Sequence, residues 1–385
     1  MLLSAFYYLP TSSQQRSRGT TDLGSLFTRI TIVFPRIMPK NIAELPVSIL
    51  DLAAIRDGYT PADTFRNSLD LAQHAERWGY KRFWLAEHHN MASIASSATS
   101  VLIGHIAGGT STIRVGSGGI MLPNHAPLVV AEQFGTLATL YPGRIDLGLG
   151  RAPGTDQLTA HALRRDLQGS VNDFPQNVQE LLTYLSAENR TSRVRAIPGE
   201  GSDVPVWLLG SSTYSAQLAG YLGLPFAFAS HFAPTHLQAA LNLYRSNFRP
   251  SQYLAAPYAA ACVNVIAADT DAEADRLATS FYQLALGIIR GTSKPLQRPI
   301  DSMEGVWSDM EEEAVGQMMS YSFIGGPARV QRQVQQFVDA TQIDELLAVA
   351  HIYDHAARLR SYELLANLGQ PTAGRPVTDY AGQSR

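Results

Sequence analysis

The 385-residue sequence contains a single cysteine, Cys262, and this scarcity excludes two kinds of protein. One thiol cannot form an internal disulfide, so the fold does not depend on disulfide crosslinks. A zinc site built from cysteine thiolates is excluded for the same reason. Cys262 lies in the apolar run 259–265, and we expect it to be a small buried hydrophobic residue on a strand.

Long apolar runs and a large excess of one charge are also missing. No stretch approaches 18 uninterrupted apolar residues, so the sequence predicts no transmembrane helix, and we expect a cytoplasmic location. The formal net charge is only −3, which gives no overall attraction to nucleic acid or to an anionic membrane surface.

The beginning of the chain is poor in acidic residues. Residues 1–37 carry four arginines against one acid, Asp22, without the amphipathic repeat of an organellar transit peptide. Because Met38 directly precedes the first strand-like run, we expect residues 1–37 to be an N-terminal extension, either disordered or a start-site artefact. Residues 38–372 are then predicted to form one domain, and residues 373–385 a C-terminal tail.

From residue 46 onward, short apolar runs alternate with longer amphipathic stretches. The helix predicted over 61–78 begins at Pro61 and precedes Gly79, which is typical of helix ends. Eight strand-helix units indicate a parallel α/β sheet, and eight strands close a (β/α)8 TIM barrel; a doubly wound open sheet is the alternative. Residues 287–322 break the pattern and are interpreted as an irregular insertion. The predicted strands are 46–52, 81–86, 113–116, 144–150, 205–209, 226–229, 258–266 and 346–350.

The turn after the fifth predicted strand is the clearest sign of a binding site. In a barrel, ligands bind at the C-terminal ends of the strands. The small, hydroxyl-rich turn 210–215 leads into a helix, whose free backbone N–H groups could hold a phosphate. Arg151, at the end of the neighbouring strand, could supply the positive charge. The alternative is that Ser211 or Ser212 only caps the helix.

Titratable side chains follow the second predicted strand, where Glu87, His88 and His89 are consecutive. His88 could act as a base or hydrogen-bond donor toward a ligand, could bind a metal, or could be structural. Adjacent strand residues point in opposite directions, so His88 and His89 are not expected to face the barrel mouth together. After the third predicted strand, Gly118 and Gly119 would let the backbone approach a flat ligand closely.

Several of these strand ends, in this order, resemble the bacterial-luciferase-like flavin monooxygenases. The resemblance covers roughly residues 42–368 and is closer to the luciferase alpha-subunit type than to the deazaflavin-dependent type. The matching stretches are Phe83–His89, Gly116–Pro123, Glu132–Phe134, Tyr141–Arg144, Gly148–Arg151, Gly210–Ser215 and Gly223–Pro225.

The resemblance implies a barrel that binds reduced FMN and uses O₂ to oxygenate a small organic substrate. His88 matches the histidine that family members place beside the reacting flavin, and Gly118-Gly119 falls where they have a non-prolyl cis peptide. Ser212 and Ser215 match phosphate-contacting positions, and Arg151 matches the phosphate arginine. The full predicted cofactor-binding set is Gly118, Gly119, Arg151, Gly210, Ser211, Ser212, Tyr214 and Ser215.

Two positions depart from the family pattern. The reactive cysteine of true luciferases falls on Gly150, so light emission is not expected, and a second phosphate-binding arginine is missing near Asn172. The resemblance further implies a homodimer, a separate flavin reductase and a mobile lid at residues 287–322. The alternatives are a non-catalytic flavin-binding protein, a deazaflavin-dependent oxidoreductase, and a metal-dependent hydrolase using His88, His351 and His355.

Overall fold

The structure is a computed structural model that describes residues 40–152, 154, 157–163, 173–292 and 294–369. The predictions for residues 1–37, for the tail 373–385 and for the surroundings of Asn172 therefore lie outside the described residues. None of the described helices combines the length and the apolar composition needed to cross a membrane.

Within the described residues, nine strands form one parallel sheet, and eight of them close the barrel. Strands β1 to β7 pair in chain order, and β9 pairs with both β7 and β1, which completes the circle. The predicted TIM barrel is thus confirmed and the open sheet is not. The strands are β1 Val47–Asp51, β2 Arg82–Leu85, β3 Arg114–Met121, β4 Ile145–Gly150, β5 Val206–Gly210, β6 Phe226–Phe228, β7 Ala259–Ala267, β8 Ser322–Gly325 and β9 Glu345–Val349.

Helices between the strands cover the outside of the barrel, and their ends follow local rules. Helix α1 begins at Pro61 behind a capping box formed by Thr60 and Asp63, and Gly79 follows its end with a φ of +81°. The helices are α1 Pro61–Arg77, α2 Thr99–Gly108, α3 Pro127–Leu140, α4 Gln157–Leu163, α5 Phe174–Leu185, α6 Thr213–Leu222, α7 Leu237–Asn247, α8 Asp271–Ile289, α9 Asp309–Met318, α10 Pro327–Thr341 and α11 His355–Ala366.

The segment 287–322 is more regular than the sequence predicts. Helix α8 extends into this segment. Helix α9 also lies within it and starts at a capping box of Ser308 and Glu311. Strand β8 begins at the end of the segment and pairs with β7 at positions 264–267, beyond the end of β6. The stretch 322–325 has only two apolar residues, Phe323 and Ile324, before Gly325, so the sequence pattern missed β8.

Alternating side chains separate the barrel interior from the layer between strands and helices. Phe83 and Leu85 of β2 join the outer core, whereas Trp84 points inward and meets Trp207 edge-on at 5.1 Å. Below these rings, the Arg82 guanidinium binds Asp146 at 2.7 Å and Glu345 at 2.6 Å. Buried rings and paired charges thus fill the lower interior of the barrel.

Candidate active site at the C-terminal ends of the strands

A cavity of about 670 Å³ opens at the C-terminal ends of the barrel strands. Its position agrees with the rule that barrel active sites are built from the loops that follow the strands. Tyr214 is the single predicted site residue outside the cavity lining; it is 36% exposed. The predicted residues that line the cavity are His88, Gly118, Gly119, Arg151, Gly210, Ser211, Ser212 and Ser215.

One corner of the cavity is formed by the start of α6 and the end of β4. Ser212 is the residue before the helix, yet its side chain makes no capping hydrogen bond to α6, so the simple capping role is not observed. The Arg151 guanidinium lies 4.1 Å above the Tyr214 ring, which places its charge beside the first turn of α6. A Cβ at Gly210 would approach Ser215 Cβ to 2.7 Å, so this tight turn requires glycine. The corner therefore combines helix N–H groups, hydroxyls and one arginine, a donor set that suits a phosphate.

A second wall is formed by Gly118 and Gly119 of β3, whose peptide bond is cis, as the resemblance predicts. Both residues are tightly surrounded. A Cβ at Gly118 would lie 2.6 Å from the Leu50 side chain, and one at Gly119 would lie 2.6 Å from the Gly148 carbonyl oxygen. Any larger residue at either position would displace a neighbouring strand or side chain.

His88 lines the cavity on the side of β2. Its Nδ1 atom lies 3.4 Å from the Gly154 carbonyl oxygen, at the long end of hydrogen-bond distances. Burial lowers the pKa of His88 from its ordinary value, and the Gly154 contact and nearby Glu87 only partly oppose this. The imidazole is therefore neutral near pH 7, the form that can accept or donate one proton.

His89 points away from the cavity and belongs to a separate cluster, which confirms that the two histidines do not face the mouth together. The buried Glu87 carboxylate accepts hydrogen bonds from His89 Nε2 at 2.9 Å, from His125 Nε2 at 2.8 Å and from Met121 N at 3.2 Å. Burial opposes ionisation, but these donors keep the pKa of Glu87 below its ordinary value. The three side chains have the donor atoms for a metal site, and in this structure they form a hydrogen-bonded cluster.

Two further histidines line the cavity, His231 after β6 and His351 after β9. Burial lowers the pKa of His231 to about 3 and that of His351 to about 4. His231 is outside the predicted site and His351 is in it only as an alternative metal ligand, although both lie two or three residues beyond a strand end. His355, the third ligand of that hypothesis, binds Asp70 Oδ2 at 2.8 Å instead, so the predicted trio is wrong.

Cys262 is buried on β7, as expected, and it also borders the cavity. Burial raises the pKa of its thiol well above the ordinary value, which keeps the thiol protonated and unreactive. Gly150, where luciferases carry their cysteine, lines the cavity too, and a Cβ there would lie 2.8 Å from Met121 Sδ.

The model of the luciferase-like monooxygenase family matches residues 45–369. An uncharacterised protein of Bacillus subtilis is 57% identical over 323 residues, which cover 84% of this chain and 96% of that protein. A luciferase-like monooxygenase of Escherichia coli K12 is 54% identical over 85% of this chain and 98% of its own length. The chain therefore belongs to the luciferase-like monooxygenase family, a family of oxidoreductases.

Solved structures agree with this assignment. A crystal structure of apo-MsnO8 is 36% identical, with a TM-score of 0.76 over 84% of this chain and 98% of that chain. The oxygenating constituent of 3,6-diketocamphane monooxygenase from Pseudomonas putida was solved with FMN and shares the fold at 20% identity. Its TM-score is 0.64, and the match covers 84% of this chain and 97% of that chain. An F420-dependent secondary alcohol dehydrogenase shares the fold at 15% identity with a TM-score of 0.61. That match covers 83% of this chain and 98% of that chain.

Proposed function

We propose that this enzyme binds reduced FMN in the cavity and uses it with O₂ to oxygenate a small organic substrate. Reduced FMN would supply two electrons, so that one oxygen atom enters the substrate and the other leaves as water. The observation that carries the proposal is the corner where Arg151 lies against Tyr214 at the start of α6.

This corner fits the phosphate of FMN better than it fits an uncharged ligand. The first N–H groups of a helix have no intrahelical partner, and an anion at that place is stabilised by the helix dipole. Arg151 adds a permanent positive charge, and Gly210, Ser211 and Ser212 keep the turn small enough for close approach. The N-terminus of α6 and Arg151 would hold the phosphate, and the rest of the flavin would extend toward Gly118-Gly119.

His88 is proposed to act on the reacting end of the flavin as a base or hydrogen-bond donor. Its neutral imidazole can give or take a proton at neutral pH, because burial lowers its pKa. The barrel wall would exclude water, since Leu50, Trp84 and Leu347 surround the inner end of the cavity. The family resemblance also predicts a separate reductase and a homodimer, to be tested by a reductase-coupled assay and by light scattering.

The deazaflavin-dependent oxidoreductase is the main alternative, because proteins of this fold use either cofactor. The match to a relative named N-acetyl-S-alkylcysteine monooxygenase, 44% identical over 48% of this chain and 56% of that protein, supports oxygenation. A non-catalytic flavin-binding protein is the second alternative, which predicts that His88 variants behave like the wild type.

The test is oxygenation of organic probes with FMN that a flavin reductase keeps reduced. Neutral sulfides and ketones are offered under ¹⁸O₂, and we expect one labelled oxygen in the product. His88→Gln should retain FMN binding and lower product formation at least tenfold, whereas His105→Gln, on the exposed face of α2, should change neither. Hydrogen peroxide as the sole product of O₂ consumption, with no labelled probe, would overturn the proposal.

A further inference from the structure

The outer part of the cavity has an apolar wall. The second half of α8, the segment that follows it and α9 contribute Phe281, Leu284, Ile288, Leu296 and Met318. Leu296 is held in place because its N–H donates to the Ile55 carbonyl at 2.8 Å and its carbonyl accepts from Asp57 at 2.9 Å. The wall therefore includes residues of helix α8 and of the segment 287–322. The family resemblance implies a lid at this segment.

Charged side chains are nearly absent from the same lining. Among the described lining residues, Arg151 is the one permanently charged side chain. It contacts Tyr214 in the corner formed by the start of α6 and the end of β4. The described part of the lining contains no lysine, aspartate or glutamate. A charged ligand group in the outer part would lose its hydration without gaining an opposite charge, which is strongly unfavourable.

His231 is the unusual polar group of this region. It is 8% exposed, and its Nδ1 atom has no hydrogen-bond partner within the described part of the chain. The His231 carbonyl accepts a hydrogen bond from Asn264 Nδ2 at 2.6 Å, which anchors the backbone at this residue. The ring is braced edge-on against Phe232, with the centroids 4.8 Å apart.

Nδ1 is enclosed by the protein, whereas Nε2 also has no hydrogen-bond partner within the described part of the chain and is not enclosed, so this side of the ring is left to pair with a ligand. Burial first, and the neighbouring His351 and His88 second, lower the pKa of His231, so its ring carries no charge at neutral pH. A neutral imidazole nitrogen pairs with an uncharged carbonyl, hydroxyl or amide group according to its tautomer.

We propose that the outer part of the cavity takes a neutral, mainly apolar substrate with one uncharged polar group, and that the ring nitrogen of His231 that is not enclosed by the protein, Nε2, hydrogen-bonds that group. The inference rests on the proposed function for the reaction, but the binding itself requires no flavin. The apolar body of the substrate would lie against Phe281 and Met318, and the hydrogen bond would fix its orientation in the cavity.

The experiment measures the binding of three probes of similar size to the flavin-free full-length protein by equilibrium dialysis. The probes are 2-hexanone, hexane and hexanoate, which differ in having a carbonyl, no polar group or a charge. We expect 2-hexanone to bind at least tenfold more tightly than hexanoate at pH 7.5. His231→Phe should weaken the binding of 2-hexanone about five- to tenfold, because one neutral hydrogen bond is lost. The binding of hexane should stay unchanged.

Two further variants keep the result interpretable. His231→Gln restores an amide at this place and should recover part of the preference for 2-hexanone, which a purely structural role would not do. Met318→Leu alters the apolar wall alone and should leave the ratio of 2-hexanone to hexane affinity unchanged. Circular dichroism verifies that each variant is folded.

Three results would overturn the inference: hexanoate binding as tightly as 2-hexanone, His231→Phe weakening hexane and 2-hexanone equally, or no probe binding at all. Failure of the proposed function is recognised separately. If the protein binds 2-hexanone through His231 but does not bind reduced FMN, the substrate site is supported and the proposed FMN-dependent reaction is rejected.

Discussion

At the scale of single residues, Arg151 makes one contact with a protein ring and also borders the cavity. Its guanidinium faces the Tyr214 ring at 4.1 Å, and the same group borders the cavity corner at the start of α6. Tyr214 thus holds the arginine from the outside and leaves its N–H groups for a ligand. Tyr214 would thus support the proposed phosphate site without lining the cavity.

Replacing Arg151 with alanine should weaken FMN binding by about 10- to 100-fold, because one charge-assisted interaction with the phosphate is lost. Flavin fluorescence titration measures the change. Arg249 provides a matched control, since its guanidinium lies 4.2 Å above Tyr221 at the other end of α6. Arg249→Ala should remove a similar arginine–tyrosine contact and leave FMN affinity unchanged; equal losses in both variants would contradict the assignment.

Residues at strand ends could be predicted from the sequence when their side chains or their turn had a recognisable chemistry. His88, Arg151 and the turn 210–215 met this condition, and all line the cavity except Thr213 and Tyr214. His231 did not, because a lone histidine after a short strand gives no local signal of what it faces. Its proposed role depends on its place in the cavity lining beside residues distant in the sequence, a tertiary relation that sequence spacing does not report.

At the scale of elements, the end of α1 is tied to the loop before β3 by one carboxylate. Glu76 accepts hydrogen bonds from Ser111 N at 2.8 Å and Ile113 N at 2.9 Å, and also from the backbone N–H and hydroxyl of Thr112. Partial burial disfavours the charge, but these donors lower the pKa of Glu76 to about 2. The loop leads directly into β3, which carries Gly118 and Gly119.

Glu76→Gln should therefore lower the free energy of unfolding at pH 7 by about 1–2 kcal/mol, a value reduced for the partly exposed position. The folded pKa lies below the unfolded value near 4.5, so the carboxylate stabilises the fold above that pH and loses its effect as the pH falls toward 2. Urea unfolding at pH 7 and pH 4 measures the difference. Glu312→Gln, on the exposed first turn of α9, is the control and should have a smaller effect.

The elements with clear start and stop residues could be predicted closely. Helix α1, predicted over 61–78, begins at Pro61 as expected and ends at Arg77, one residue before the predicted end. Helix α9 and strand β8 could not, because the helix begins in a segment without a clear apolar period and the strand has only two apolar residues. Strand β8 exists because β7 extends past β6 and leaves its edge open for pairing.

At the scale of the whole molecule, two buried neutral histidines make the fold sensitive to acid. The folded pKa values, about 3 for His231 and about 4 for His351, lie below the value of about 6.5 for an unfolded histidine. The unfolded chain therefore binds more protons, and stability falls as the pH drops from 6.5. Each histidine contributes a slope of up to about 1.4 kcal/mol per pH unit.

His351→Phe should reduce this acid sensitivity, because the replacement cannot take up a proton and can keep the stacked contact with Phe281, now at 4.7 Å. The fall in melting temperature between pH 7 and pH 5 should be smaller in His351→Phe than in the wild type. The exposed His105 supplies the control, and His105→Gln should follow the wild-type curve. An unchanged pH dependence in His351→Phe would contradict the neutral buried state.

The barrel as a whole could be predicted because eight strands recur in strict alternation with helices, and that alternation leaves few topologies. The placement of the site at the strand ends followed from the same topology. The cofactor depends on finer relations, such as the distance between Arg151 and α6, which belong to the folded chain.

The most direct test of the central claim is an anaerobic titration of the protein with reduced FMN, reduced riboflavin and reduced deazaflavin. Riboflavin lacks the phosphate, so it measures the contribution of the corner formed by Arg151 and α6. We predict that reduced FMN binds at least tenfold more tightly than either of the other two. Equal binding of FMN and riboflavin would contradict the phosphate site, and a preference for the deazaflavin would contradict FMN as the cofactor.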